Sequence, residues 1–305
     1  MIKFKLLFFV ITVVVLFNFP GSSDAAKKSS AASSIWSKVS AQEKLKALRV
    51  AQLEAYRALV ERVQGFVLDS GSTVYECMLD SDRVKARVDA VLKGATELDP
   101  PSYSKNGMVM VTYGVNFTQI AEIIRQNGNS AMQQPATVRE HKIIEAVGCG
   151  ALPGSPALDM LRAKRAAELD AYRMMAERFV GLQINGSTTI ADMALNNDRI
   201  EASIAAYLRG LKPVKIHYST DGICQVTMQL KVHETVKVID RIINTYNSGR
   251  TEKIEKADLS SSDKIFTVIG YGAQGSKTEK TPDKDFHHAR KSIVRKLIKK
   301  NIIVE

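Results

Sequence analysis

The residues of this 305-residue chain that come nearest to a chemical signature are three glycines, Gly270-Tyr-Gly272-Ala-Gln-Gly275. They follow a strand-like run in the spacing G-x-G-x-x-G. In a dinucleotide-binding unit such glycines give a tight turn and let the backbone approach a pyrophosphate, and a helix opens at once. Here the next residues, Ser276–Asp285, form a charged loop containing Pro282. Only 30 residues follow Gly275, too few for a nucleotide domain. The related stretch Gly148–Gly154 lacks the third glycine in register and carries Pro153. Gly275-Ser276-Lys277-Thr278 misses the phosphate-cradling P-loop because Ser276 separates glycine from lysine. The expectation is a loop at a strand end.

Other chemistry-bearing types give no constellation. The histidines are His141, His217, His233, His287 and His288, and the adjacent pair points two ways on a helix, so one metal does not suit both. There is no HExxH, CxxC or GxSxG. Arg57/Arg173, Glu61/Glu177, Arg62/Arg178 and Asp82/Asp198 recur at a fixed interval, but so do the apolar positions around them. Common descent explains the recurrence, and ion pairs on a solvated helix face are the expected role. Cys149 and Cys224 are expected on strands of one sheet, with Cys77 elsewhere. A Cys149–Cys224 disulfide and a set of buried free thiols both stand as readings. The sequence therefore names no catalytic, cofactor-binding or metal-binding residue and no cofactor.

The elements behind these residues come in copies. Leu45–Gly94 aligns with Leu161–Gly210 at a constant offset of 116, with 19 identities in 50 pairs and no gap, an internal duplication. Each copy opens with a helix whose apolar residues recur at three and four, Leu45 to Phe66 and Ala167 to Leu182. Gly65 and Gly181 stand where a left-handed cap would end it. A polar Ser/Thr stretch follows, then a helix N-capped by Asp82 or Asp198, with Asp198 and Glu201 spaced as a capping box. Asn106-Gly107 and Asp221-Gly222 signal hairpins with positive φ at both central residues, followed by helices near Ile120–Arg125 and Thr235–Asn244. A Gly-rich strand recurs in a shifted frame, Ile143–Gly150 and Ile265–Gly272. The second copy of that strand leads to a last helix near Phe286–Lys300, a truncated third unit. It either completes the sheet of another unit or packs on an edge of its own.

The strings LKALRVAQLEAYR (45–57) and LRAKRAAELDAYR (161–173) resemble the first helix of the LPP-twenty lipoprotein family and of the N-terminal domain of flagellar assembly protein T. The Gly148-Cys-Gly150-Ala151 and Gly270-Tyr-Gly272-Ala273 strand ends fit the same pattern. The resemblance implies an α+β domain of the bacterial periplasm or outer membrane, without catalytic residues. The lipid-bearing cysteine of the lipoproteins is missing, as are later domains of the flagellar protein.

The N-terminus fits that setting. Lys3 and Lys5 precede an apolar run, Leu6–Phe17, and Ser23 and Ala25 suit a cut before Ala26, as in a secretory signal peptide. The run is shorter than the ~20 apolar residues of a membrane-spanning anchor, the alternative reading. The expected organisation is a signal peptide at 1–25, a flexible leader at 26–40, unit one at 41–126, unit two at 139–247 and a partial third unit at 262–305. The fold class is α+β, tandem units of helices on a small antiparallel sheet. A net charge of +11 first suggests nucleic acid, which export argues against. Arg290, Lys291, Arg295, Lys296, Lys299 and Lys300 make the last helix basic and amphipathic. It either lies on an anionic membrane surface or packs as an ordinary domain helix. The functional expectation is a non-enzymatic envelope protein that binds other envelope components, flagellar basal-body proteins among them, or copies of itself. A periplasmic enzyme with an unrecognised site is the alternative.

Overall fold

A computed structural model describes residues 35–68, 70–127, 143–185, 188–195, 197–248, 266–275 and 292–299. Residues 1–25, expected to be a signal peptide, most of the expected leader, His141, His287, His288, Arg290, Lys291 and Lys300 lie outside the described residues. The fold is α+β, with small antiparallel sheets covered by helices.

Unit one begins with α1 (Ala41–Gln64). Ser40 opens it, accepting a hydrogen bond from the Glu43 amide while the Glu43 carboxylate accepts from Ser40 N, a capping box. The Ser/Thr stretch that follows ends in a second box, Thr73 with Glu76, which starts the short helix α2 (Val74–Asp80). The next helix, α3 (Asp82–Lys93), is capped by Ser81 rather than Asp82, which already sits inside the first turn. A hairpin follows, in which Asp99-Pro100-Pro101 breaks the first strand into β1 (Thr96–Glu97) and β2 (Ser102–Tyr103), because proline has no N–H for the ladder. Both pair with β3 (Met108–Asn116), and α4 (Phe117–Asn127) comes next.

Unit two repeats the order with α5 (Pro156–Val180), a small β5–β6 ribbon (Gln183–Asn185 with Thr188–Thr189) and α6 (Ile190–Leu195). Then come α7 (Asp198–Arg209), β7 (Pro213–Tyr218), β8 (Ile223–Leu230) and α8 (Val232–Asn247). Here Asn197 is the cap of α7, accepting from the Arg199 and Ile200 amides, so the Asp198–Glu201 box expected from the sequence is replaced by its neighbour. In both hairpins the turn runs one step earlier than a two-residue Asn-Gly or Asp-Gly turn. Gly107 N donates to Ser104 O and Gly222 N to Ser219 O, so glycine closes the turn at φ 89° and 83°. Gly65 and Gly181 do not take the left-handed cap conformation; their φ values are −81° and −82°.

The Gly-rich strands set the frame of the sheets. β4 (Ile143–Ala151) pairs antiparallel with β3, from Met108 opposite Ala151 to Asn116 opposite Ile143. β9 (Phe266–Ala273) pairs in the same way with β8. The strand that heads unit two in the sequence therefore closes the sheet of unit one, and the third copy closes the sheet of unit two in cis. The reason lies in packing against the helix. α1 presents Ala47, Ala51 and Ala55 to β4, and α5 presents Ala163, Ala167 and Ala171 to β9, all buried. A Cβ at Gly148 would stand 2.8 Å from Ala55 Cα and closer still to Ala51 O and Ala55 N. At Gly270 it would stand 2.8 Å from Ala171 Cα and closer still to Ala167 O and Ala171 N. Gly150 and Gly272 meet Ala47 O and Ala163 O in the same way. Only glycine lets backbone meet backbone at this separation.

Two further segments join these cores. Residues 35–40 of the leader, expected to be mobile, dock on unit one: Trp36 is buried, donates from Nε1 to Ser104 O at 2.8 Å, and meets the Tyr103 ring edge-on at 4.9 Å. Residues 292–299 form a last helix, α9, whose Val294, Leu297 and Ile298 are buried in the core of unit two. Gly148→Ala and Gly270→Ala are each expected to destabilise the protein by about 3 kcal/mol or to prevent folding, read by denaturant unfolding. Gly94→Ala, where a Cβ meets nothing closer than 3.4 Å, is expected to be neutral or slightly stabilising.

Candidate functional site

The recurring charged residues are the first place to look for a site, and the structure gives several of them a backbone to hold. Among the described residues β4 and β9 are edge strands, each with one row of N–H and C=O groups that no described strand pairs. Glu54 Oε2 accepts from Cys149 N at 2.8 Å, and its counterpart Asp170 accepts from Tyr271 N at 3.1 Å. Arg62 donates to Glu145 O, and Arg178 donates to Thr267 O at 2.9 Å. The first helix of each unit thus satisfies the free edge of its own Gly-rich strand with one acid and one arginine, two turns apart. Exposed ion pairs, the role expected from the sequence, apply to Arg173, which meets Asp170 at 2.9 Å. Asp82, Asp198 and Glu177 lie exposed on their helices.

The described residues also enclose a concavity between the units, with a volume of about 520 Å³. Its walls are the outer face of β3–β4, the α1 residues around Glu54, the N-terminal half of α5, and β7–β8. The charged groups lining it are Glu54, Glu61, Arg62, Lys164, Glu168, Arg209 and Lys212. Arg165 Nη2 stands 3.3 Å from Glu54 Oε2, and Lys164 Nζ stands 3.5 Å from Glu168 Oε1, with these four side chains largely shielded. Met110, Cys149, Met160 and Tyr218 are among the other lining residues.

Electrostatics disarm the reactive groups. Burial pushes the Cys149 thiol up to about 11, so at neutral pH it is no nucleophile. Burial also raises the Tyr218 hydroxyl and the Cys224 thiol. For Lys164, burial is the largest single influence and favours the neutral amine, but Glu168, Cys149, Glu54 and Tyr218 together outweigh it and hold the ammonium above its ordinary range. A protonated thiol and a locked ammonium can bind and orient polar groups; they do not attack a carbonyl.

The other candidates are dispersed. All three cysteines are free and buried. Cys149 and Cys224 belong to different sheets, on β4 and β8, because β4 pairs with unit one, so the one-sheet placement expected for them does not hold. Burial raises Cys77 to about 12. Gly270 and Gly272 are committed to the α5 backbone, so the G-x-G-x-x-G spacing marks helix–strand packing rather than a phosphate site. His217 is exposed on β7. Among the described residues no group of three His, Cys, Asp or Glu is placed to hold a metal. On α9, Arg295 is drawn to Glu201 at 3.1 Å, while Lys296 and Lys299 are exposed. The cleft itself was invisible in the sequence; the only trace of it is that Lys164 and Glu168 interrupt the copy at Leu48 and Gln52. Family models, curated proteins and solved structures give no match to this chain.

These thiol states have a measurable consequence. A thiol reagent at pH 8 is expected to leave all three cysteines unmodified in the native protein and to modify all three after denaturation, with an intact mass that reductant does not change. Because folding raises Cys77 and Cys149, their stabilising contribution is full below the ordinary thiol value of 9.0 and falls away as pH climbs toward 11 and 12. Fast labelling of Cys149 at pH 8 would contradict this.

Proposed function

We propose that this chain is an exported, non-enzymatic protein of the bacterial cell envelope that acts in assembly or binding, in keeping with its resemblance to LPP-twenty lipoproteins and to the N-terminal domain of flagellar assembly protein T. The observation that carries the reading is the use of the recurring charges. Glu54, Asp170, Arg62 and Arg178 hold strand edges within the fold. This use of the charges shared by the two units supports a structural reading of the duplication. Partners of this class are envelope proteins, flagellar basal-body components among them, or copies of the chain; nucleic acid is not among them.

The enzyme reading looks to the cleft between the units, where the thiol and ammonium are held in unreactive states. The membrane-surface reading rests on Arg290, Lys291, Arg295, Lys296, Lys299 and Lys300, of which Lys296 and Lys299 are exposed on α9 and Arg295 is drawn to Glu201. The buried apolar face of that helix leaves it electrostatic attraction alone, without insertion into lipid. No helix among the described residues is long and apolar enough to cross a membrane.

Fractionation of the native host, with N-terminal sequencing and in-cell cross-linking, tests the proposal. The expected result is a processed chain starting at Ala26 in the envelope fraction, cross-linked to structural envelope proteins or to itself. An unprocessed chain beginning at Met1 in the cytosol would refute it.

A further inference from the structure

We propose that the open sheet face of unit two binds unit one of another copy of this chain, head to tail, repeating between molecules the contact that joins the two units within one. The inference rests on the assembly reading and names a second copy as partner.

The argument follows the duplication through the existing interface. Within the chain, Glu54 of unit one meets Arg165 of unit two at 3.3 Å. Asn106 at the hairpin turn reaches Met160 Sδ at 3.4 Å. Gly65 approaches Gly210 so closely that a Cβ on Gly65 would stand 2.7 Å from Gly210 Cα. Carried across the repeat, at 116 for the helices and 115 for the hairpin, each pair has a second, unused version. Glu54 and Arg165 become Asp170 on unit two and Arg49 on unit one. Asn106 and Met160 become Asp221 and Lys44. Gly65 and Gly210 become Gly181 and Gly94. Two opposite-charge pairs and a second pair of glycines thus stand on surfaces that one chain cannot bring together.

Exposure agrees with this mapping. Leu161 is only 6% exposed where the first interface covers it, whereas its counterpart Leu45 is 63% exposed. On the receiving face, Tyr271 of β9 is 54% exposed, whereas its counterpart Cys149 on the face already covered is 7% exposed. Gly94 is exposed, has φ −84°, and leaves room for a Cβ, so nothing inside the monomer requires glycine there. A close approach by Gly181 of another copy does require it. The contact between copies lacks one part of the internal one: Gln126 stands where Arg241 faces Glu76, and α4 has 11 residues against 16 in α8. Association between copies is therefore weaker than the union of the two units. It is heterologous, so it grows into a ring or an open filament rather than stopping at a two-fold dimer.

Sedimentation of the processed full chain over a range of concentrations tests this. Wild type is expected to form oligomers larger than dimers as concentration rises. Gly94→Leu is expected to keep the melting temperature within about 2 °C of wild type and to remain monomeric. Lys44→Glu and Asp221→Lys are each expected to weaken association about tenfold. Their equimolar mixture restores it, because the two substituted side chains then meet with their charges exchanged at one contact, while the native Lys44 and Asp221 meet at the next. A wild type that stays monomeric throughout, oligomers that survive Gly94→Leu, or a mixture that fails to reassemble would each overturn the inference. A monomeric chain still cross-linked to an envelope protein in cells overturns it and spares the assembly reading. An unprocessed cytosolic chain refutes that reading, even where purified oligomers pass every test here.

Discussion

The architecture depends on one contact, the direct approach of a helix backbone to a strand backbone, made twice. Alanines at every fourth position of α1 and α5 and glycines at every second position of β4 and β9 remove the side chains that would hold the two apart. Close packing of this kind is intolerant of added volume. It also fixes register, because a one-residue slip of either strand would turn its glycines away from the helix and drive the intervening side chain into it. The Cys149 and Tyr271 amides, which lie between the glycines, face an edge with no partner strand, and the Glu54 and Asp170 carboxylates accept from them. Charge-assisted bonds of this kind are among the stronger polar contacts a fold can make.

That contact explains why the chain is not two independent modules in sequence order. Each unit is completed by a strand that lies beyond its own second half, and β4 leads directly into α5 of the next unit. The chain cannot be cut between the sequence copies without taking β4 from one side or the other. The cleft follows from the same arrangement, since the outer face of β3–β4 is turned toward the helix that β4 leads into. One ion pair there links the units: Arg165 reaches Glu54, the residue that also holds β4 in place.

Much of this was legible in the residues. Helical periodicity, the Asn-Gly and Asp-Gly turns and the duplication locate nearly every element, and the twin Gly-rich strands stand out as copies. What could not be read is where those strands go, because pairing is a tertiary choice and Ile143–Gly150 is adjacent in sequence to the unit it does not complete. The same gap hid the roles of Arg62 and Glu54, whose partners lie 83 and 95 residues away. Caps were displaced by one position because Ser81 and Asn197 are as good acceptors as the aspartates beside them. Thr73-x-x-Glu76 and Thr189-x-x-Asp192 have the spacing of a capping box, but they lie within polar stretches that carry no helical periodicity to mark a helix start. Trp36 was lost in a Ser-rich segment, where its apolar neighbours Ile35 and Val39 were the available signal.

Amide hydrogen exchange at Cys149 and Tyr271 tests the helix-to-strand contact most directly. Both amides sit on strand edges that no other described strand covers, so a bare edge would release them as fast as a surface loop. With the Glu54 and Asp170 carboxylates bound to them under a closely packed helix, both exchange only through opening of the unit, as slowly as the amides shared between β3 and β4. Fast exchange at these two positions in an otherwise protected sheet would contradict the account.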